Sequence, residues 1–130
     1  MFHTDIKKIA KENINFRKVV CTGRHSQVVL MTLRPGEDIG EEVHDTIDQI
    51  FSFIGGTGEA VIEHIPQPVK EHDLVFVPAG TLHNIKNTGR ESLKLYTIYS
   101  PPAHRDGTIH RTKADALKAE PGYEKQPVPA

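Results

Sequence analysis

The sequence predicts an all-β fold of the double-sheet jelly-roll type, with one short helix near the carboxyl terminus. The apolar runs are short, and turn residues interrupt them at the spacing expected for sandwiches and barrels. Their number is the number of strands that a jelly roll needs. The predicted strands are Phe16–Cys21, Gln27–Leu33, Ile39–His44, Gln49–Ile54, Glu59–His64, Leu74–Val77, His83–Asn87 and Leu93–Tyr99.

Glycine, proline and asparagine separate these strands. The pair Gly55-Gly56 provides the positive φ that a tight chain reversal requires. Predicted turns lie at residues 22–24, 34–36, 55–58, 65–68, 78–80 and 87–89.

With 130 residues the chain has room for one hydrophobic core. We predict an amino-terminal arm at 1–15, a β-barrel at 16–100 and an extension at 101–130. In the extension, Thr112 with Asp115 three residues later predicts the start of a helix that runs to about Glu120. Pro121-Gly122 then ends it, and the tail from Gln126 is expected to fray.

The composition excludes several classes of partner. The formal net charge is −1 and no basic stripe is present, which argues against nucleic acid. No run of about 18 apolar residues and no secretory leader is found, so we expect no membrane span and a cytoplasmic location. The single cysteine, Cys21, cannot form an internal disulfide and is expected to pack.

Two spaced motifs suggest a metal site. The downstream motif is Pro78-x-Gly80-x2-His83-x3-Asn87, directly after an apolar strand. The upstream motif is Glu42-x-His44-x4-Gln49-x6-Gly56, preceded by the turn Pro35-Gly36.

Strand geometry explains why these residues could meet. Residues i and i+2 of a strand point to one face, so Glu42 and His44 can reach the same ion. Gln49 opens the next strand, and His83 arrives from a separate hairpin. Asp48 is an alternative oxygen donor, but strand alternation turns it away when Gln49 points inward. Two imidazoles and two oxygens suit a divalent first-row metal.

These motifs resemble the two signatures of the cupin superfamily, H-x-H-x3/4-E-x6-G and G-x5-P-x-G-x2-H-x3-N. Three positions depart from the pattern: Glu42 replaces the leading His, Gln49 replaces the Glu, and His72 replaces the Gly. A non-glycine residue at position 72 must accept a strained φ or mark a rebuilt turn. The resemblance implies a double-stranded β-helix barrel. It implies metal ligands at Glu42, His44, Gln49 and His83. Cupins that have lost the metal exist, and Gln49 keeps that alternative open.

The resemblance extends from about Val28 to Ala119. The chain resembles a subgroup of small single-domain bacterial cupins in three short segments. They are Gly40-Glu41-Glu42-Val43-His44, Asp48-Gln49 and the tail Ser100-Pro101-Pro102-x-His104-x-Asp106-Gly107-Thr108-x-His110. That subgroup is grouped with mannose-6-phosphate isomerase-like proteins by similarity, and a fold does not establish that activity. The remaining histidines are left unassigned as ligands: His3, His25, His64, His72, His104 and His110.

Two classes of function follow from this interpretation. The first is a metal-dependent enzyme on a small oxygenated metabolite, an isomerase or a dioxygenase, using Zn, Fe, Mn, Ni or Cu. Expected pocket walls are Phe51, Phe53 and Tyr96 or Tyr99. The second is a binding or sensing module without catalysis.

We also expect a homodimer, because open sheet edges are commonly covered by a symmetric partner. Ile6, Ile9 and Ala10 of the arm could pack in that interface. Alternatively, the arm folds back on its own barrel.

Overall fold

The computed structural model describes residues 1–119, which form antiparallel β-sheets flanked by two short helices. The segment 120–130, with the predicted helix stop and tail, lies outside the described residues. The elements are α1 (Ile6–Glu12), β1 (Arg17–Thr22), β2 (Gln27–Leu33), β3 (Asp48–Gly55), β4 (Thr57–Ile62), β5 (Ile65–Lys70), β6 (Leu74–Val77), β7 (His83–Lys86), β8 (Leu93–Ser100), β9 (Ile109–His110) and α2 (Lys113–Lys118).

Two sheets enclose the core. One has six strands in the order β6-β3-β8-β2-β1-β9, and the other has three in the order β5-β4-β7. Strand β8 alternates between buried and half-buried residues along its whole length, as expected when one face of a sheet points inward. The core cluster draws side chains from both sheets, including Phe51 and Leu95 from one and Ile85 from the other. The predicted all-β jelly-roll fold is confirmed.

The predicted strand Ile39–His44 is wrong. This segment forms only two isolated bridges, Asp38 with Lys86 and Glu42 with His83. The cause is Gly40, whose φ of +109° breaks the extended chain. The backbone N–H of Gly40 donates to Asn84 Oδ1 at 3.0 Å, so a side-chain oxygen takes the place that a backbone carbonyl of a neighbouring strand would have in a sheet.

The predicted turn at 65–68 is also wrong, because β5 occupies it. The turn was predicted from Pro66 and Pro68, because proline has no backbone N–H to donate to a neighbouring strand. β5 pairs with β4 alone and is an edge of its sheet. The prolines are two residues apart, so their missing N–H groups both face outward, where no partner strand needs them.

Positive φ angles explain two further features. The predicted strand Glu59–His64 stops at Ile62 because Glu63 and His64 have φ of 48° and 68°, the left-handed pair of a two-residue hairpin turn. His72 has a φ of 77°, so it accepts the strained conformation expected when glycine is replaced there.

Both helices pack on the barrel of their own chain. α1 lies on the outer face of the larger sheet, where it contacts β3 and β8 and buries Ala10. The Asn13 side chain after this helix donates to Thr32 Oγ1 at 3.1 Å. The arm therefore folds back on its own barrel. α2 begins as predicted, with Thr112 Oγ1 accepting from the N–H of Asp115 at 3.0 Å. Within residues 1–119, neither helix has the length and hydrophobicity to cross a bilayer.

Candidate metal centre

The structure brings Glu42, His44, Gln49 and His83 together between the sheets. Glu42 and His44 lie in the segment between β2 and β3, Gln49 is in β3, and His83 opens β7. Glu42 and His83 exchange two backbone hydrogen bonds of 2.9 and 3.0 Å, which align the segment with β7. Asp48 is exposed and accepts from the N–H of Ala79, so it points away as predicted.

The His44 imidazole is buried and only half satisfied. Its Nε2 lies 3.1 Å from Glu42 Oε2, and the side chain of His44 is 4% exposed. Its Nδ1 has no hydrogen-bond partner within residues 1–119. A buried polar atom without a partner costs about 1–3 kcal/mol. This Nδ1 is directed away from Glu42, which faces Nε2, so it is an unsatisfied polar atom of the ring and not the atom that shares a ligand with Glu42.

His83 is oriented by its backbone contact. The Nδ1–H donates to the carbonyl oxygen of Thr81 at 2.9 Å, which leaves an unprotonated Nε2 in the neutral ring. That Nε2 faces Gln49 Oε1 at 3.2 Å, while Gln49 Nε2 donates to Thr97 Oγ1 at 3.0 Å. Two acceptors then face each other, an arrangement that a cation between them would relieve. With the amide turned over, Gln49 would instead donate to His83 and accept from Thr97.

Electrostatics favour the ligand forms of two of these groups. Burial raises the pKa of Glu42, but the hydrogen bond from His44 and the charges of His44, Arg17 and His83 outweigh it and lower the pKa overall. Burial also lowers the pKa of His83, against the opposing hydrogen bond to Thr81. At neutral pH the site therefore holds an ionised carboxylate and a neutral imidazole, the forms that bind metals.

The predicted pocket walls separate into two groups. The Phe51 ring lies 5.9 Å from the His83 ring, and the Tyr99 ring meets the His44 ring edge-on at 6.0 Å. Phe53 is buried on the same inward face of β3. Tyr96 lies on the opposite face of β8 because it is three residues from Tyr99. Of the two tyrosines, only Tyr99 faces the candidate centre.

Sequence reasoning missed a second buried polar cluster beside this centre. Arg17 Nη1 lies 3.2 Å from His110 Nδ1, and both residues are buried. His104 Nε2 lies 3.2 Å from the Tyr99 hydroxyl. Burial, with the charges of Arg17, His110 and His44, lowers the pKa of His104 to about 2. Arg17 is two residues before Val19 in β1, so strand alternation could have predicted that Arg17 points inward. The pairing of β1 with β9, which brings His110 to Arg17, could not be deduced from that pattern.

Whether a metal fits depends on Gln49 and on the Glu42–His44 contact. Among residues 1–119, the His, Cys, Asp and Glu side chains alone form no group of three or more placed to hold an ion. Glu42, His44 and His83 are therefore not placed as a three-ligand group as they stand, and Gln49 is a fourth side chain with its Oε1 3.2 Å from His83 Nε2. An ion would also have to replace the hydrogen bond between Glu42 and His44. The facing of His83 Nε2 and Gln49 Oε1 fits such a role when the amide oxygen is turned towards His83.

Comparison with known proteins identifies the family. Residues 29–99 match the family model Cupin_2, described as a cupin domain. The chain belongs to the cupin domain family. It is 45% identical over 125 residues to the uncharacterized protein YrkC of Bacillus subtilis (strain 168), a match that covers 92% of this cupin and 67% of YrkC.

A crystal structure of BH2720 from Bacillus halodurans has the same fold as this cupin. The TM-score is 0.89 and the sequence identity 42%, over 91% of this chain and 94% of that one. A more distant relative is the mannose-1-phosphate guanylyltransferase of Salmonella montevideo, which is 27% identical over 113 residues. That match covers 74% of this cupin but 24% of the guanylyltransferase, so the likeness is to one part of a larger protein.

Proposed function

We propose that this cupin binds a divalent transition metal and acts on a small oxygenated metabolite as an isomerase or a dioxygenase. The supporting observation is the convergence of two buried imidazoles and two oxygen donors, with His44 Nε2 facing Glu42 Oε2 and His83 Nε2 facing Gln49 Oε1. The mannose-6-phosphate isomerase-like subgroup is part of this proposal, and the distant guanylyltransferase relative supports it only weakly. A reducing, cytoplasmic setting is consistent with the free thiol of Cys21.

Each residue has a distinct part in this proposal. His44, His83, Glu42 and Gln49 would hold the ion, and the Thr81 carbonyl keeps the His83 tautomer that exposes Nε2. A bound divalent ion supplies Lewis acidity that polarises a substrate oxygen. Phe51 provides an apolar wall beside His83, and Tyr99 places a ring beside His44. Apolar rings beside the imidazoles lower the local polarity and so strengthen electrostatic interactions there.

The metal bound in the native host separates the two reaction types. A dioxygenase needs redox-active Fe, Mn, Cu or Ni, whereas an isomerase can also use Zn. Elemental analysis of protein purified without a histidine tag measures this directly. Zinc alone, with turnover retained, would exclude the dioxygenase.

A binding or sensing module is the second candidate. Its support is that Glu42 and Gln49 stand where cupin signatures have His and Glu, which changes the ligand set. Titration calorimetry and turnover assays on the same pool of metabolites discriminate the two functions. A metabolite that binds but is recovered unchanged after long incubation with metal-loaded protein indicates a binding module. Conversion of that metabolite indicates an enzyme.

Replacing Gln49 with Glu should tighten metal binding about tenfold, because a carboxylate adds direct attraction that the amide lacks. Competition with a metal-sensitive dye measures the affinity. Gln67→Glu, the same chemical change at an exposed position of β5, is the matched control and should leave affinity unchanged. Unchanged or weaker binding in Gln49→Glu would mean that Gln49 is a pocket wall and not a ligand.

The homodimer also belongs to the proposal, and the outer face of the larger sheet suggests where it forms. Phe76, Ile50, Ile98 and Val28 lie side by side across β6, β3, β8 and β2. Phe76 is 54% exposed, and β6 is an edge strand. An apolar row that ends at an open edge is a favourable surface for a second copy.

Light scattering at micromolar concentration should therefore give twice the 14.5 kDa of one chain. Phe76→Glu should shift the mass to that of a monomer, because it places a charge in the apolar row. Leu117→Glu, at an exposed position of α2, should not shift it. A wild-type mass of one chain rules the dimer out. A dimer that is lost on deletion of residues 1–12 would place the arm, and not the sheet, at the interface.

A further inference from the structure

A cavity of about 200 Å³ lies beside the outer face of the larger sheet and is lined by three cationic side chains, Arg34, Lys94 and Arg111. Each cation comes from a different part of the chain: the turn after β2, strand β8, and the segment between β9 and α2. Lys94 is on the opposite face of β8 from Tyr99 and about 17 Å along the strand from it. Since Tyr99 is the residue whose ring meets His44, the cavity is separate from the candidate metal centre.

Backbone contacts fix the positions of the three cations. Lys94 lies within the ladder that joins β8 to β2. The carbonyl oxygen of Arg111 accepts from the N–H of Phe16 at 3.1 Å. Arg34 closes a turn with Glu37, because the N–H of Glu37 donates to the Arg34 carbonyl at 2.9 Å and Glu37 Oε1 accepts from the Arg34 N–H at 2.8 Å. The main chain therefore holds all three side chains at one cavity.

The two guanidinium groups are not committed to other contacts. Among residues 1–119, the side chains of Arg34 and Arg111 form no hydrogen bond or ion pair, and both residues are exposed. Lys94 Nζ donates to the carbonyl oxygen of Asn13, and an ammonium group has further N–H groups to donate. Burial lowers the pKa of Lys94, and an anion beside it would favour the charged form. The cavity therefore offers donors from three cations.

The formal charges that line the cavity are strongly unequal. Of the described lining residues, Glu37 is the one carboxylate, and it stands against three cations, which leaves a net charge of +2. Two other carboxylates nearby in sequence do not line the cavity: Asp38 pairs with Lys113, and Asp115 is exposed on α2. A phosphate monoester carries a charge of about −1.5 to −2 at pH 7 and would balance this lining, whereas one carboxylate would not.

We propose that this cavity binds a phosphate group, with Arg34, Lys94 and Arg111 as its cationic donors. Guanidinium groups pair with phosphate through two parallel hydrogen bonds, and a lysine adds a compact charge. Donors that come from three separate elements suit a tetrahedral oxyanion better than a planar one. Ser92 and Thr112 add hydroxyl groups to the same lining. The phosphate group belongs either to inorganic phosphate or to a small phosphate monoester, and the inference is independent of the proposed metal function.

Titration calorimetry with inorganic phosphate and with acetate tests the proposal on the wild-type chain, both after chelation and after loading with metal. Phosphate should bind about tenfold or more tightly than acetate, because it carries more charge and more acceptor oxygens. The affinity should be the same with and without metal. Equal affinities for the two anions would overturn the proposal. Phosphate binding that occurs only in the metal-loaded protein would also overturn it, because the ion and not this cavity would then be the site.

Methyl phosphate separates the two sources of the phosphate group. Affinity equal to or higher than that of inorganic phosphate would indicate a monoester, whose substituent leaves the cavity through its open side. Clearly weaker binding than inorganic phosphate would indicate the free ion. Protein that takes up no metal but binds phosphate would refute the metal proposal alone, and metal-loaded protein that binds no phosphate would refute the phosphate inference alone.

Variants then assign the binding to this cavity. Arg34→Gln and Arg111→Gln should each weaken phosphate binding about tenfold, because each removes a charge-assisted donor. Both should fold as wild type by circular dichroism, since neither side chain has a partner within residues 1–119. Arg24→Gln, at an exposed position between β1 and β2, is the matched control and should bind as wild type. Phosphate affinity in Arg34→Gln and Arg111→Gln equal to that of Arg24→Gln would show that the anion binds elsewhere and would overturn the proposal.

Discussion

Replacing His44 or His83 with alanine is expected to reduce bound metal from about one ion per chain to almost none, because each variant removes one of the two imidazoles that we propose as ligands. The sheets should stay folded, since the core cluster around Phe51, Leu95 and Ile85 does not depend on the ion. Elemental analysis after dialysis measures the metal, and circular dichroism measures the fold.

His25→Ala is the matched control, because His25 is exposed in the turn between β1 and β2. It removes an imidazole of the same type without touching the interior. Metal content in His44→Ala or His83→Ala equal to that of His25→Ala would refute the assignment of these two ligands.

Acidification from pH 7 to pH 5 is expected to remove about 2 kcal/mol of folding free energy through His104 alone. Burial holds the pKa of His104 near 2 in the folded protein, against an ordinary value of 6.5. The unfolded chain therefore takes up a proton below pH 6.5 that the folded chain refuses. The stabilisation is complete above pH 6.5 and is lost progressively as the pH falls towards 2, by about 1.4 kcal/mol per unit.

Urea unfolding at pH 7 and pH 5, with chelator present to remove metal effects, measures this dependence. His104→Gln should lose less stability on acidification than wild type, because glutamine does not titrate. His25→Gln should keep the wild-type dependence, since His25 is exposed. The same loss in all three proteins would mean that His104 is not the group responsible.

Periodicity and turn chemistry were sufficient to predict most strands. β2 and β6 have the predicted bounds, and β3, β7 and β8 differ by a residue at their ends. The errors occurred where local signals compete with sheet context. Gly40 breaks an otherwise strand-like segment through its φ of +109°, and the prolines of β5 are tolerated because that strand is an edge.

The candidate site was predictable only as far as spacing allowed. The two motifs named Glu42, His44, Gln49 and His83, which the fold brings together. Face alternation could have excluded Tyr96, since it is three residues from Tyr99 in one strand.

Arg17, His104 and His110 could not be found in this way. They meet only because β9 pairs with β1 and the segment after β8 returns to the barrel. Two hydrogen bonds to Gln27, from the N–H groups of Ala103 and His104, fix that return. Such contacts between residues distant in sequence leave no local pattern to detect.

Anomalous diffraction from crystals of the metal-loaded protein locates the ion directly. Data collected on both sides of the absorption edge should give a peak between His44 and His83, about 2.0–2.3 Å from a nitrogen of each ring. Carboxylate and amide oxygens of Glu42 and Gln49 should complete the coordination. A peak elsewhere in the protein, or an unoccupied space between the two imidazoles in loaded crystals, would contradict the proposed metal centre.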